Sequence, residues 1–265
     1  MTLQRWPNWV IPANWPAPST VHAVTTCRHG PGVSVAPFDR LNLGWSAGDD
    51  PAHVAVNRSR MQAALRLPSA PCWLHQVHGT DVVRITHAPL SGLPRADAAV
   101  TRCGGRVLAV VTADCLPIVL ADREGTHVAI AHAGWRGLAA NVVERTIQTL
   151  GLPPCQLLAW LGPAASVTAY EVGQDVHAAC CTADPACAQA FSASRPGHWF
   201  VDLYALAALR LRQAGLAQSA VFCQRLCTIS DPDRFFSYRR DGRTGRMATL
   251  VWSEPTGDNP SCPPV

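Results

Sequence analysis

The chain contains no lysine: all 22 of its basic residues are arginine, set against 18 acidic ones for a net charge of +4. That absence excludes Schiff-base catalysis, the P-loop lysine and the kinase strand lysine together. Any bound phosphate has to meet arginine or backbone amides. Charged residues make up only 15% of the sequence, and no basic run exceeds two residues, so binding of nucleic acid by counterion release is not expected. The sequence also lacks eighteen consecutive apolar residues free of charges or breakers, and its first eighteen residues lack a continuous apolar segment of the secretory kind. A cytoplasmic, soluble, monomeric protein with no membrane partner is the expectation. Other absences are a glycine-rich dinucleotide loop, H-E-x-x-H, the zinc-deaminase signature and any H-x-H pair. Eleven cysteines, an odd number without regular spacing, do not describe a disulfide framework.

At 48% hydrophobic over 265 residues, the chain can bury one large core, and a single domain over 21–252 is the reading. Residues 1–20 are rich in Trp and Pro and read as irregular, and 253–265 as a disordered tail. VHAVTTC (21–27) reads as a strand. Asp49 or Asp50 caps a helix that starts at Pro51. Strands are expected at CWLHQV, DVVRIT, DAAVT, RVLAVVTA, LPIVLAD, HVAIAHA, QLLAWLG and SAVFC. One long helix is expected over RGLAANVVERTIQTLG, and two more over QDVHAACCTADPACAQAF and DLYALAALRLRQAGL. Asp241-Gly242 predicts a hairpin between FFSY and MATLVW.

Chemistry concentrates between Val111 and Gly137. Cys115 and His132 stand at the edges of two apolar runs, and His78 closes a third just before Gly79. Together they offer a divalent ion an N₂S set, and three protein ligands with a position left open is the pattern of catalytic zinc. The spacings of 37 and 17 residues match no zinc finger, so the triad rests on its position at strand ends. The competing readings are a packing thiol at Cys115 and a hydrogen-bonded turn residue at His132. Arg136 opens the long helix, whose N-terminus favours anions. Arg239 and Arg240 belong either to a solvated turn or to substrate steering. Cys180, Cys181, Cys187, Cys223 and Cys227 read as structural thiols. GWSAG (44–48) matches the nucleophile-elbow pattern at Ser46 but lacks the preceding central strand, so it reads as a chance match.

QVHG, RADA, VTADCLPIVLAD, AHAGWRG, WLGP followed by YEVG, and FFSYRRDGRTGRMA occur in this order over residues 20 to 252. In them the chain resembles the YfiH family, also called the laccase-domain or multicopper polyphenol oxidase family and, for bacterial members, peptidoglycan editing factor. The resemblance implies an α+β, four-layer α/β/β/α sandwich, and zinc held by His78, Cys115 and His132. It implies phosphorolysis of adenosine, inosine and methylthioadenosine with phosphate, together with adenosine deamination. Asn42, Arg58 and Glu171 stand at family motif positions. The loop CRHGPGVS departs from the pattern by one apparent added residue and by Cys27.

For deamination, Asp114 and Glu171 are the candidate proton carriers, with Asp114 alternatively orienting a metal ligand. For phosphorolysis, Arg28, Arg58 and Arg136 are candidate phosphate donors. The rival functions are a copper-dependent phenol oxidase, opposed by the missing H-x-H pairs, a cysteine hydrolase with Cys115 as nucleophile, and a zinc-stabilised binding module.

Overall fold

Alternation along two central strands explains the architecture. In a computed structural model that describes residues 6–182 and 184–255, every residue of β6 (Leu116–Asp122) and β7 (Val128–Ala133) is buried. Successive side chains of a strand point to opposite faces. Val119, Ala121, Val128 and Ile130 enter one apolar cluster, while Ile118, Leu120, Ala129 and Ala131 enter another. A hairpin buried on both faces has to be covered on both, and this sequence covers it with a second sheet on one side and helices on the other.

The larger sheet has six strands, in the order β12 (Val221–Cys223), β8 (Leu157–Leu161), β6, β7, β4 (Ala98–Thr101) and β3 (Val82–Ile85), with parallel pairs only at its two edges. The four-stranded antiparallel sheet runs β1 (Val10–Pro12), β2 (Val21–Thr26), β13 (Met247–Ser253) and β5 (Leu108–Thr112). Leu108, Val110, Ala23 and Val251 of this sheet meet Val119, Ile130 and Trp160 of the other. The outer face of the four-stranded sheet packs Ala109, Leu250 and Trp252 against Met61 and Leu65 of α1 (Pro51–Leu65). On the opposite side, α2 (Trp135–Ala139), α3 (Val142–Leu150), α4 (Gln174–Cys181) and α5 (Leu203–Gln213) cover the six-stranded sheet. The α/β/β/α order expected from the resemblance follows from these clusters. Each fully buried Leu, Ile or Val adds about 1.5–3 kcal/mol relative to an exposed one, so the two faces of β6 alone carry several such contributions. A three-stranded sheet of β9 (Glu171–Gly173), β11 (His198–Val201) and β10 (Phe191–Ala193) flanks the helical side.

Several local expectations are corrected. Val10–Pro12 pair with Val24–Thr26, so the segment before residue 21 is not wholly irregular. Ser253 completes β13 opposite Val21, and the Glu254 amide bonds the Thr20 carbonyl; the expected tail from 256 onward and residues 1–5 lie outside the described residues. CWLHQV forms only isolated bridges, Cys72 with Leu108 and His75 with Arg95. The long helix breaks at Asn141, in the left-handed region at φ 69°, which asparagine tolerates better than most residues. The helix expected from Gln174 ends at Cys181, and Pro185–Ala190 continues as a 3₁₀ turn. FFSY and MATLVW form no hairpin, because Ser237 accepts a hydrogen bond from the Arg240 amide and caps a short helix, α6 (Tyr238–Asp241). The α1 start follows expectation, with Asp50 as the cap accepting from Ala52.

Candidate metal centre and active-site cavity

Cys115 immediately precedes β6 and His132 lies near the end of its hairpin partner β7, where Pro117 pairs with His132. Antiparallel pairing therefore brings residues seventeen positions apart to one edge of the sheet. His78 arrives from the irregular 71–80 segment with a left-handed backbone at φ 58°. Among the described residues, these three form the one cluster of three or more His, Cys, Asp or Glu able to share an ion, with their ligand atoms within 4.8 Å of one another. That separation suits a single ion held at bonds of about 2.0–2.3 Å. The His78 and His132 rings meet edge to face at 4.7 Å between centroids. Space here is tight: a Cβ on Gly134 would stand 2.9 Å from Cys115 Sγ and 3.2 Å from His78 Nδ1, which explains the glycine of AHAGWRG.

Asp97 was not singled out from the sequence, yet it organises the triad. It is fully buried at the start of β4, and one carboxylate accepts from the amides of Val77 (3.1 Å), His78 (2.9 Å) and Gly79 (2.7 Å) while bonding His132 Nδ1 at 2.8 Å. Its carbonyl also accepts from the His132 amide at 2.7 Å. The loop of one ligand and the ring of another thus share one anchor, leaving His132 Nε2 to face the cluster. Burial raises Asp97, but the hydrogen bonds from His132 and Gly79 outweigh it and hold the carboxyl below its ordinary value. The available signal was a carboxylate at a strand start, inside RADA. Gln76 adds a second clasp, its amide both donating to and accepting from the Val111 backbone at 2.8 Å.

Electrostatics favour the metal-binding form of the thiol. Burial pushes Cys115 up, and His132 and His78 more than reverse this, drawing it well below the usual thiol range. Burial lowers His132, while Cys115 and Asp97 raise it further than burial takes away. A thiolate flanked by imidazoles is a fitting donor set for a divalent ion.

The triad opens on a cavity of about 530 Å³ whose walls include Ser46, Gln76, Thr112, Asp114, Trp135, Arg136, Tyr170, Tyr238, Arg239 and Arg246. Of the residues expected there, Asp114, Arg136 and Arg239 are present; Trp135, Tyr170, Tyr238 and Arg246 were missed. Ser46 also lines the cavity, on a 3₁₀ turn (Trp45–Ala47) and not on a strand-to-helix elbow. Asp114 is a brace: at φ 92°, it accepts from Thr228 Oγ1 (2.7 Å) and the Arg239 amide (2.6 Å), one with each oxygen.

Three expected site residues are drawn elsewhere and do not line the cavity. Asn42 is buried, tying Gly44, Asp49 and the Arg246 amide together. Arg58 spends Nε and Nη2 on the Leu43 carbonyl and stacks on Trp73 and Trp45, and burial lowers it to about 9. Glu171 turns its carboxylate to Ser194 and Arg195 at the surface. Arg28, likewise, donates to Pro232 and Asp39. Among the cysteines, Cys180 and Cys187 are core residues, Cys181 packs on that core, Cys223 is exposed, and Cys227 accepts from Ser230.

A family model described as "Multi-copper polyphenol oxidoreductase laccase" matches residues 22–254. A purine nucleoside phosphorylase of Xylella fastidiosa is 56% identical over 255 residues, covering 94% of this chain and 98% of that protein. The purine nucleoside phosphorylase YfiH of Escherichia coli is 46% identical over 243 residues, covering 92% and 98%. Among solved structures, Neisseria meningitidis protein NMB0706 superposes with a TM-score of 0.88 at 47% identity, over 93% of this chain and all of that one. A Bacillus licheniformis hypothetical protein YfiH superposes at 0.84 with 28% identity, over 88% and 93%. Metal-ligand geometry, layer order and these matches agree, and the chain belongs to the YfiH family of laccase-like proteins.

Proposed function

We propose that this protein is a zinc-dependent purine nucleoside phosphorylase acting on adenosine, inosine and methylthioadenosine. One observation carries the reading: the His78–Cys115–His132 cluster opens into the same cavity as three arginines and three aromatic side chains. Phosphorolysis breaks the bond between the sugar C1′ and the purine nitrogen while a phosphate oxygen bonds C1′, giving the free base and the sugar 1-phosphate, ribose 1-phosphate from adenosine or inosine and 5-methylthioribose 1-phosphate from methylthioadenosine. A purine needs an apolar face and the phosphate needs fixed cations. Trp135 and Tyr238 offer the former, Arg136, Arg239 and Arg246 the latter. Zinc bound by His78, Cys115 and His132 supplies Lewis-acid chemistry. Asp97 holds two of those ligands in place, and Asp114 fixes the backbone on which Cys115 and Arg239 sit.

The geometry favours phosphorolysis over deamination as the principal reaction. A deaminase needs a carboxylate free to carry protons, and both candidates are engaged, Asp114 by Thr228 and Arg239 and Glu171 outside the cavity. A His₂Cys set also suits copper, but a laccase additionally needs a trinuclear cluster, and the described residues offer no second group of ligands for one.

The test incubates the metal-analysed protein with each nucleoside, with and without phosphate, and separates the products. Free base and the corresponding sugar 1-phosphate that appear only with phosphate support the reading. Phosphate-independent conversion of adenosine to inosine, or oxygen uptake with a phenol in a copper-loaded sample, would replace it.

A further inference from the structure

Two buried tyrosines differ in one respect that points to a ligand. Tyr204, 1% exposed, uses its hydroxyl twice, donating to the Leu226 carbonyl at 2.7 Å and accepting from the Ala164 amide at 3.1 Å. Tyr170, 9% exposed, lines the cavity, and its hydroxyl has no hydrogen-bond partner among the described residues. The hydroxyl opens to the cavity and is free to donate to whatever fills it. Burial, with Cys115 nearby, pushes this phenol up to about 12, so it keeps its proton at physiological pH.

The arginines of the chain divide the same way. Arg28, Arg58 and Arg240 spend most of their guanidinium donors on protein acceptors, and Arg246 gives only Nη1, to the Thr244 and Gly245 carbonyls. Arg136 rests on Trp135, 4.2 Å from the ring centre, and none of its guanidinium donors has a partner among the described residues. Arg239 lies over the Tyr170 ring at 4.7 Å and gives only Nη1 to the Glu171 carbonyl, leaving Nε and Nη2 free. Arg136 and Arg239, with unused donors, and the buried Tyr170 phenol therefore line a single cavity, beside Arg246, whose Nε and Nη2 are also unused, and the exposed Tyr238 phenol. Its one lining carboxylate, Asp114, has both oxygens satisfied and points them into the brace.

We infer that Tyr170, with Arg136 and Arg239, forms an inorganic phosphate subsite in which the tyrosine hydroxyl donates to a phosphate oxygen. The inference rests on the proposed phosphorylase reading and assigns one of its two substrates to named donors. A tetrahedral dianion takes several hydrogen bonds at once, and charge-assisted bonds from guanidinium are the strong ones. The neutral hydroxyl adds a donor without adding charge, which helps bind phosphate without trapping it. Stacking Arg239 on the ring fixes both groups relative to each other.

The test compares wild type, Tyr170→Phe and Tyr204→Phe, each loaded with zinc. Initial rates with inosine are measured over a phosphate series, and binding of inorganic phosphate alone is measured by calorimetry. For Tyr170→Phe, KM for phosphate and the phosphate Kd should rise about tenfold, as loss of one hydrogen bond to a charged group implies. KM for inosine, zinc content and Tm should stay at wild-type values. Tyr204→Phe should lower Tm and leave phosphate binding alone. Unchanged phosphate constants in Tyr170→Phe, a rise confined to KM for inosine, a Tm loss matching that of Tyr204→Phe, or a wild type that binds no phosphate would each overturn the assignment. Wild-type binding of phosphate that weakens in Tyr170→Phe, in a protein that splits no nucleoside, would uphold the subsite and remove the phosphorylase reading.

Discussion

The β6–β7 hairpin carries a similar device at each of its two ends. At the turn, buried Asp122 accepts from the Thr126 amide (2.8 Å), the Thr126 hydroxyl (2.6 Å) and the His127 amide (2.9 Å), with His127 Nδ1 at 3.6 Å. At the open end, roughly 20 Å away along strands of about 3.3 Å per residue, buried Asp97 accepts from three amides and bonds His132 Nδ1. Both are carboxylates beside a histidine, gathering backbone donors. The difference is reach. Asp122 closes a loop within five residues of itself, whereas Asp97 ties together segments 18 to 35 residues away. A local clamp makes a turn; the long-range one aligns donor atoms from separate elements, and that is what a metal site requires.

Equivalent substitutions at the two ends should therefore have different consequences. The largest effect is expected for Asp97→Asn. It should weaken divalent-metal binding about 10- to 100-fold, as loss of a carboxylate behind a metal-ligating histidine does, and it should also cost about 3 kcal/mol of stability by unpairing a buried imidazole. Metal titration and denaturant unfolding report the two quantities separately. Full metal affinity in this variant would mean that the triad needs no clamp.

Asp122→Asn should cost stability alone. Burial raises the Asp122 carboxyl, but the side-chain contact with His127, the amides and Thr126 outweigh it and hold it at about 2, against 3.8 ordinarily. Folding therefore favours the ionised form. The associated stability, about 2 kcal/mol, is fully present above the ordinary value and is lost as pH falls through the folded-state value. Unfolding curves should separate wild type from variant at pH 7 and converge near pH 2, with metal affinity equal throughout. A difference that persists undiminished at low pH would assign the effect to shape and not to charge.

The smallest effect is expected at Glu171, whose carboxylate faces Ser194 and Arg195 away from the cavity. Glu171→Gln should leave kcat and KM within about twofold of wild type. A large loss of kcat would return this residue to the catalytic machinery.

The same contrast explains what could be read from the sequence. Features set by neighbours in the chain were legible: the Asp50–Pro51 helix start, the buried β6 and β7 runs, and the α5 helix. The triad was legible because Cys115 and His132 stand at strand ends that an antiparallel hairpin must bring together. His78 was placed correctly but for an incomplete reason, since its run is not a strand: Asp97 takes the amides that a sheet ladder would have used. Long-range partners carried no periodic signal. Nothing in YEVG indicates that Tyr170 faces the cavity while Glu171 faces Arg195, or that Arg58 is spent on Leu43. The break at Asn141 escaped because apolar spacing continues across it, with Leu138 and Val142 in one core.

Cobalt substitution tests the central claim most directly, because a cobalt–thiolate bond gives an intense near-ultraviolet charge-transfer absorption. Wild type and Asp122→Asn are expected to bind about one equivalent of cobalt per chain with that absorption. Cys115→Ala should lose the absorption, and Asp97→Asn should reach it only at higher cobalt concentration. Cobalt binding without a thiolate band in the wild type, or an identical titration for Asp97→Asn, would contradict a His78–Cys115–His132 centre organised by Asp97.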